Sequence, residues 1–276
     1  MMMPFRRALA VLLLLLAMPA PVFALSVMDP FNMPAAMDGG TVKAGDGIAY
    51  ADGPRHRLDV YAPETRGSSA PVVFFIYGGG WAAGDRFEYD FVGRAFAANG
   101  YVAVIPDYRK YPEVVYPDFL SDNASAIKWI EQNIELYGGD TSRFFLAGHS
   151  AGAYNSVMLA LDGSYLREYG VTMPIRAVAG ISGPYNFYPF EYDEVRRAFG
   201  DAPNPEGTQP VDNGIRHAGT PVSKTLSFPL RRQFNNVFPA AERDHVCLPS
   251  LVLAVRYAVP APHVNRSARW RPDLSP

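Results

Sequence analysis

Phe144-Phe145-Leu146-Ala147-Gly148-His149-Ser150-Ala151-Gly152-Ala153-Tyr154 decides the reading of this chain. A short continuous apolar run, Phe144–Gly148, reads as a strand buried on both faces. Ala151–Leu161 reads as a helix. A serine between two glycines at such a strand-to-helix step must occupy a sharp, strained turn, and its neighbours must be tiny for strand and helix to pass one another. Its hydroxyl then stands above the sheet edge at a helix N-terminus, where free N–H groups and the dipole favour developing negative charge. Ser150 is therefore the candidate nucleophile. An ordinary N-cap serine would explain the hydroxyl but not both glycines.

The pattern repeats on either side. Pro71–Tyr77 and Tyr101–Pro106 are two more buried runs, and Ile175–Ile181 is a fourth. Between them, Tyr89–Asn99 is helical in pattern and closed by Gly100. Pro117–Tyr137 carries Ile127, Ile130, Ile134 and Tyr137 on one helical face and stops at Gly138-Gly139. Gly47–Ala51 and Arg57–Tyr61, around Asp52-Gly53-Pro54, predict an antiparallel hairpin, with residues 26–46 as a surface lead-in. Buried strands alternating with amphipathic helices predict βαβ units and a doubly wound, mostly parallel sheet.

Two further turns bear chemistry. Gly78-Gly79-Gly80-Trp81 follows a strand, and a tripled glycine there lets bare N–H groups face a ligand. The N–H groups of Gly79 and Gly80, with that of Ala151, are candidates to hold an oxyanion in acyl transfer. Trp81 would line a cleft or pack as a core residue. Asp107-Tyr108-Arg109 ends the next strand; such a pair more often ties a loop to its domain than contacts a substrate, and the tie is the favoured reading. Tyr108, Tyr111, Tyr116 and Phe119 either wall a pocket or pack beneath that loop.

Composition sets outer bounds. The chain has 276 residues, 49% hydrophobic and 19% charged, enough for a core and against disorder as an average. Lys+Arg 25 against Asp+Glu 27 gives no basic excess for nucleic acid. One cysteine, Cys247, excludes an internal disulfide framework and a multi-Cys metal site, and the five histidines hold no H-x-x-x-H pair. No metal or organic cofactor is expected. Arg6 and Arg7, the apolar run Ala8–Met18, Pro19, Pro21 and the small-residue site Val22-Phe23-Ala24 predict a cleaved signal peptide over residues 1–24, hence a periplasmic or secreted protein with no stable membrane span after cleavage. The run is shorter than the ~20 residues a membrane-spanning helix needs.

Taken together, Tyr77-Gly78-Gly79-Gly80-Trp81, Asp107-Tyr108-Arg109, Gly148-His149-Ser150-Ala151-Gly152-Ala153-Tyr154-Asn155 and Gly183-Pro184-Tyr185 resemble the α/β-hydrolase superfamily. More narrowly, they resemble its H-G-G-G esterase and lipase branch, and within it the feruloyl-esterase-like (BD-FAE-like) and prenylcysteine-methylesterase-like carboxylesterases. The resemblance covers about residues 45–211. It implies an α/β-hydrolase core over 47–211 after a lead-in over 25–46. It also implies Ser150 as the nucleophile, Gly79, Gly80 and Ala151 as oxyanion donors, and a small-molecule ester as substrate. An amidase or arylformamidase of the same fold is the neighbouring reading. Two positions depart from the pattern: Tyr77 stands where many members have His, and Asn186 where relatives often carry Asp.

Residues 212–276 do not follow the family. Members place an acid in a His-Gly-x-x-Asp context and a histidine after a later Gly, and this stretch contains neither His-Gly nor Gly-His. It holds 8 of the 25 prolines but 2 of the 24 glycines, and its prolines recur too closely for a long helix. The C-terminal elements are thus read as atypical or missing. A departure from the family reading frame near residue 211 would account for this, as would a lineage-specific tail. One strand-like run remains, Ser250–Val259. If it is the strand that precedes the base, His263 is the base, with Asp244 or Asp212 as acid. Without a working triad the chain would be a catalytically silent binding protein of the same fold.

Overall fold

Segments of four to eleven residues, the central ones short apolar runs rich in Val, Ile and Phe, pair side by side as strands. The computed structural model describes residues 39–65, 69–216 and 253–256. The strands are β1 (Thr41–Ala49), β2 (Arg57–Pro63), β3 (Ala70–Ile76), β4 (Val102–Pro106), β5 (Gly139–His149), β6 (Ile175–Ile181) and β7 (Leu253–Arg256). They form one sheet in the order β1-β2-β4-β3-β5-β6-β7. The central strands β4, β3, β5 and β6 are mutually parallel, and β1, β2 and β7 are antiparallel to their neighbours.

The helices are α1 (Asp90–Ala98), α2 (Asp118–Asn133), α3 (Ala151–Leu161), α4 (Ser164–Glu168), α5 (Asp193–Phe199) and α6 (Pro210–Arg216). From β3 the chain passes through α1 to β4 on one side. From β4 it returns through α2 past β3 to β5, and then through α3 to β6. Right-handed crossovers running in opposite directions lie on opposite faces of the sheet. Accordingly α1 packs on β1, β2 and β4, whereas α3 packs on β3, β5 and β6 and is covered in turn by α2 and α6. The winding reverses between β3 and β5. In open α/β sheets, ligands bind in the crevice at the carboxyl ends of the strands flanking such a reversal.

The doubly wound, mostly parallel sheet agrees with the sequence reading. Several boundaries move. β1 begins at Thr41 rather than Gly47, so residues 41–46 belong to the sheet and not to a lead-in. Every second residue there is not apolar because Gly45 and Gly47 accompany breaks in register against β2, which hides the strand from a period-two pattern. β5 starts at Gly139, through a polar stretch that extends the pairing with β3. The helix read over Pro117–Tyr137 is α2 followed by a 3-10 turn, Ile134–Tyr137. At the far end α6 crosses the boundary read at residue 211, and Asn213 is buried there, its amide donating to the carbonyls of Gly207 and Gln209. The run Ser250–Val259 contains a strand, β7, but an antiparallel one: Leu253 pairs with Gly180 and Arg256 with Ala177. The chain therefore leaves β7 beside the start of β6, at the end of the sheet opposite to that where β5 and β6 end. The predicted signal segment, Asp244, Cys247 and His263 lie outside the described residues.

One carboxylate ties the α2 layer to the strand beside Ser150. Glu131 of α2 accepts from the N–H of Thr172, the hydroxyl of Thr172 and the N–H of Met173, each at 2.7 Å, just before β6, and from Lys128 Nζ at 2.7 Å. Partial burial opposes its charge, but Lys128 and these donors outweigh that and bring its pKa to about 2. A carboxylate with a depressed folded pKa contributes stability above its unfolded pKa, roughly 4.3, and loses it as pH falls toward the folded value. In urea unfolding, Glu131→Gln should lower the midpoint at pH 7 and the difference from the parent should shrink at pH 3; an equal deficit at both pH values would show that the charge is not what acts.

Candidate active site

Ser150 sits between β5 and α3 with φ 52 and ψ −119, a positive-φ conformation outside the left-handed helical well that costs a non-glycine residue on the order of 1–3 kcal/mol. The two flanking glycines make that turn feasible by close approach. A Cβ on Gly148 would lie within the backbone of Gly152, and a Cβ on Gly152 would lie within the carbonyls of Ile76 and Tyr77 at the end of β3. Ser150 is held from both sides: its N–H donates to Ile181 O of β6 at 2.9 Å, and its carbonyl accepts the first helical bond, from Tyr154 N at 3.1 Å.

The glycine turn lies against it. Ile76 is in register with Gly148, so the chain that leaves β3 runs beside the chain that leaves β5. A Cβ at Gly78 would stand 3.0 Å from Ser150 Cβ and 3.0 Å from His149 O. Within the turn, Gly79 (φ 121) and Gly80 (φ 59) take left-handed angles, and Gly79 O accepts from Ala82 N at 3.1 Å and Ala83 N at 2.9 Å. Among the described residues, no carbonyl or side chain accepts a bond from the N–H of Gly79 or Gly80. Ala151 is the first residue of α3, whose N–H a helix leaves without an internal partner. The three predicted donors thus belong to the two segments that meet at Ser150.

The neck of the glycine turn is gripped by buried charge. Asp107, directly after β4, accepts from Tyr77 Oη at 3.0 Å, from Arg86 N at 2.9 Å and from Arg86 Nη1. Tyr77 immediately precedes the turn and Arg86 follows it. Arg86 Nε also donates to Asp59 Oδ1 of β2 at 2.8 Å, and Asp59 takes the N–H of Gly47 at 2.7 Å and Lys43 Nζ at 3.1 Å. Burial works against the Asp59 charge, yet the Gly47 N–H, Lys43 and Arg86 hold its pKa below the usual carboxylate value. Lys110, itself buried, donates to Gly84 O and to Tyr77 Oη at 3.4 Å. Loss of solvent, with Arg55 nearby, lowers its pKa. The Tyr77 that replaces the common His thus finds a carboxylate partner, and burial among Tyr108 and Asp107 pushes its pKa well up. Arg109 pairs with Asp122 of α2 through Nη2 at 2.7 Å and Nε at 3.0 Å. Asp107 and Arg109 are therefore loop ties, as the sequence favoured.

Trp81 packs as a core residue, 2% exposed, against Phe119, Tyr154, Phe187 and Phe199. Tyr116 and Phe119 join this aromatic cluster, and Tyr108 stacks on Tyr77. Asn186 is exposed, whereas the adjacent Tyr185 is buried. His149 lies beside Tyr89, with Nδ1 3.3 Å from its hydroxyl, and burial lowers its pKa. Of the candidate acids Asp212 is described, on α6; Asp244 and the candidate base His263 are outside the described residues. The residue whose part the sequence reading missed is Asn155. It closes the quoted motif, yet nothing in its spacing says that its side chain meets Trp81. Among the described residues, no group of His, Cys, Asp and Glu side chains could hold a metal ion.

The two glycine types separate in a stability measurement. Gly152→Ala forces a methyl into backbone and should cost about 3 kcal/mol, the upper range of overpacking. At Gly80 a Cβ meets nothing within 4 Å, so Gly80→Ala should cost only the left-handed penalty, about 1 kcal/mol. Denaturant unfolding of both variants checks the order; equal costs would contradict the tight crossing at Gly152.

Comparison with known proteins places this geometry. The BD-FAE family profile matches residues 58–213, more than half of the chain. An isoprenylcysteine alpha-carbonyl methylesterase of Arabidopsis thaliana is 34% identical over 146 residues, covering 51% of this chain and 34% of that protein. Esterase LipC of Mycobacterium tuberculosis is 34% identical over 147 residues, covering 51% of this chain and 36% of that protein. The chain thus spans about a third of the length of these curated relatives. The crystal structure of an inhibited esterase B from Lactobacillus rhamnosis superposes with a TM-score of 0.57 at 21% identity, covering 65% of each chain, a likeness of fold. From the matched profile and the parallel sheet with its serine turn after β5, the chain belongs to the BD-FAE family and has the α/β-hydrolase fold.

Proposed function

We propose that the protein is a serine hydrolase that cleaves carboxylic esters through an acyl-enzyme on Ser150. The observation that carries this reading is the strained backbone of Ser150, φ 52, beside a glycine turn whose Gly79 and Gly80 N–H groups meet no acceptor among the described residues. Strain of that kind persists where the surroundings over-determine it, and it clusters at working sites. Relatives that match this segment are an isoprenylcysteine methylesterase and an esterase.

In the proposed reaction, Ser150 Oγ attacks the ester carbonyl carbon while its proton passes to a histidine base. The carbonyl π electrons move onto oxygen, and the N–H groups of Gly79, Gly80 and Ala151 hold the oxyanion. Collapse breaks the ester C–O bond, and the alcohol leaves with the proton from the base. Water then repeats the sequence on the acyl-enzyme and releases the acid. The candidates read from the sequence are His263 as base and Asp212 or Asp244 as acid. However, β7 runs antiparallel to β6 and directs the chain to the end of the sheet away from Ser150, so every histidine outside the described residues is a candidate base. No step uses a metal or cofactor. The proposal extends to export: the charged start, apolar run and small-residue site over residues 6–24 support removal of a signal peptide. Among the described residues, no helix is long and apolar enough to cross a membrane.

Labelling with a fluorophosphonate probe tests the nucleophile, since the probe phosphonylates an activated serine. The parent should label and Ser150→Ala should not. A panel of p-nitrophenyl esters of rising acyl length, with the matching anilides, should show hydrolysis strongest on short esters. Preference for anilides would replace the ester reading by an amidase one, and a well-folded parent that neither labels nor turns over would identify a silent member of the fold.

A further inference from the structure

We infer that Trp81 and Asn155 form a strut that sets the glycine turn over Ser150, making both of them positioning residues of the oxyanion site. The inference rests on the ester-hydrolase reading above for its chemistry, and on the following geometry for its substance.

Trp81 Nε1–H donates to Asn155 Oδ1 at 3.0 Å. An indole N–H can only donate, so the amide oxygen must face it. Trp81 follows Gly80 directly and is itself left-handed, φ 57. Asn155 lies on α3, just past the Tyr154 whose N–H closes the first helical bond onto Ser150. The bond therefore joins the apex of the turn that carries Gly79 and Gly80 to the helix whose start carries Ser150 and Ala151. These are the two bodies whose spacing determines where an oxyanion would meet its donors.

The neck of the turn is held elsewhere, by Asp107 on Tyr77 and Arg86 and by Lys110 on Gly84. Those contacts fix where the turn begins and ends. At the apex, Trp81 O accepts from Tyr111 N at 2.8 Å, and the indole is the side chain that reaches the nucleophile helix. Three successive glycines leave the intervening backbone many conformations of similar energy, so an external anchor is needed to select one. Asn155 is 0% exposed, and its Nδ2 has no hydrogen-bond partner among the described residues. A pair that served packing alone could be replaced by apolar groups of the same shape at little cost. A buried amide with one end unpaired is a poor choice for packing and a sound one for holding an indole at a set position.

The test uses the full chain and three variants: Trp81→Phe, which removes the N–H and keeps a ring; Asn155→Leu, which removes the acceptor and keeps the approximate shape; and Asn155→Asp, which keeps an acceptor oxygen. Each is assayed on a short-chain p-nitrophenyl oxoester and on its thionoester, whose sulfur bonds weakly to N–H donors and so reports little of the oxyanion geometry. Trp81→Phe and Asn155→Leu should lower kcat on the oxoester by about 10- to 100-fold, the effect of misplacing a catalytic group by a fraction of an ångström to an ångström. KM should stay within about 3-fold, because the lost interaction belongs to the transition state. The oxoester to thionoester rate ratio should fall in parallel, and Asn155→Asp should recover most of it. An unchanged ratio with a lowered melting temperature would overturn the strut and leave a packing role. Amide hydrogen exchange at Ala82, Ala83 and Tyr111, whose N–H groups bond to Gly79 O and Trp81 O, gives a readout independent of turnover. If the parent neither hydrolyses esters nor labels, the ester reading fails. The exchange then decides the strut: faster exchange in both variants with β3 unchanged supports it, and equal exchange overturns it. Should Asn155→Leu not fold, Trp81→Phe carries the comparison.

Discussion

The first turn of α3 passes so close to the end of β3 that no side chain fits between them. At Gly152 a single methyl would enter the carbonyls of Ile76 and Tyr77. That contact fixes the height of the nucleophile helix on the sheet. It also brings the serine turn after β5 against the glycine turn after β3, since the two strands are neighbours in register. Because the winding of the sheet reverses between these strands, their helices leave on opposite faces and a crevice opens where both turns face solvent. The strained angles of Ser150 follow from the same contact. The chain has to change direction within one residue to enter a helix that lies this close.

A second constraint is electrostatic. Asp59 and Asp107 are almost fully buried, and burying a carboxylate is costly unless partners compensate it. Arg86 bridges them, Lys43 and Gly47 complete Asp59, and Tyr77 completes Asp107. Buried ion networks are weak sources of net stability, because desolvation offsets much of the attraction, and losing one partner from such a network is costly. Their effect here is geometric. The same carboxylate receives the residue before the glycine turn and the residue after it, which closes the loop at its neck and ties it to β2 and β4. The aromatic cluster around Trp81 holds the opposite side of the loop by shape, with directed bonds from the Trp81 indole to Asn155 and from Tyr111 N to Trp81 O.

Much of this was legible in the sequence. Buried parallel strands are continuous apolar runs, so β3, β4 and β6 stand out at nearly their full extent, and α3 is bounded by the serine turn on one side and Asp162 on the other. Where boundaries moved, long-range pairing overrode local pattern. β5 extends through polar residues because β3 offers it a partner, and β1 starts early because β2 does, its alternation hidden by irregular register. β7 shows the limit of such reading. Its apolar run marks a strand, but nothing in a run of Leu, Val and Ala states which way it pairs, and it lies antiparallel to β6.

By itself, then, the sequence determined the class of fold, the serine turn and the glycine turn. Each depends on residues near one another in the chain: an apolar run, a small-residue pair, a helix start. The partners of buried polar groups were decided only in the tertiary structure. Tyr77 with Asp107, Arg86 with Asp59, and Trp81 with Asn155 lie 30, 27 and 74 residues apart. A buried hydrogen-bonding group needs a partner of complementary type within about 3 Å, and which one it meets is set by how strands order and helices cross, a property of the assembled sheet and of no local stretch of chain.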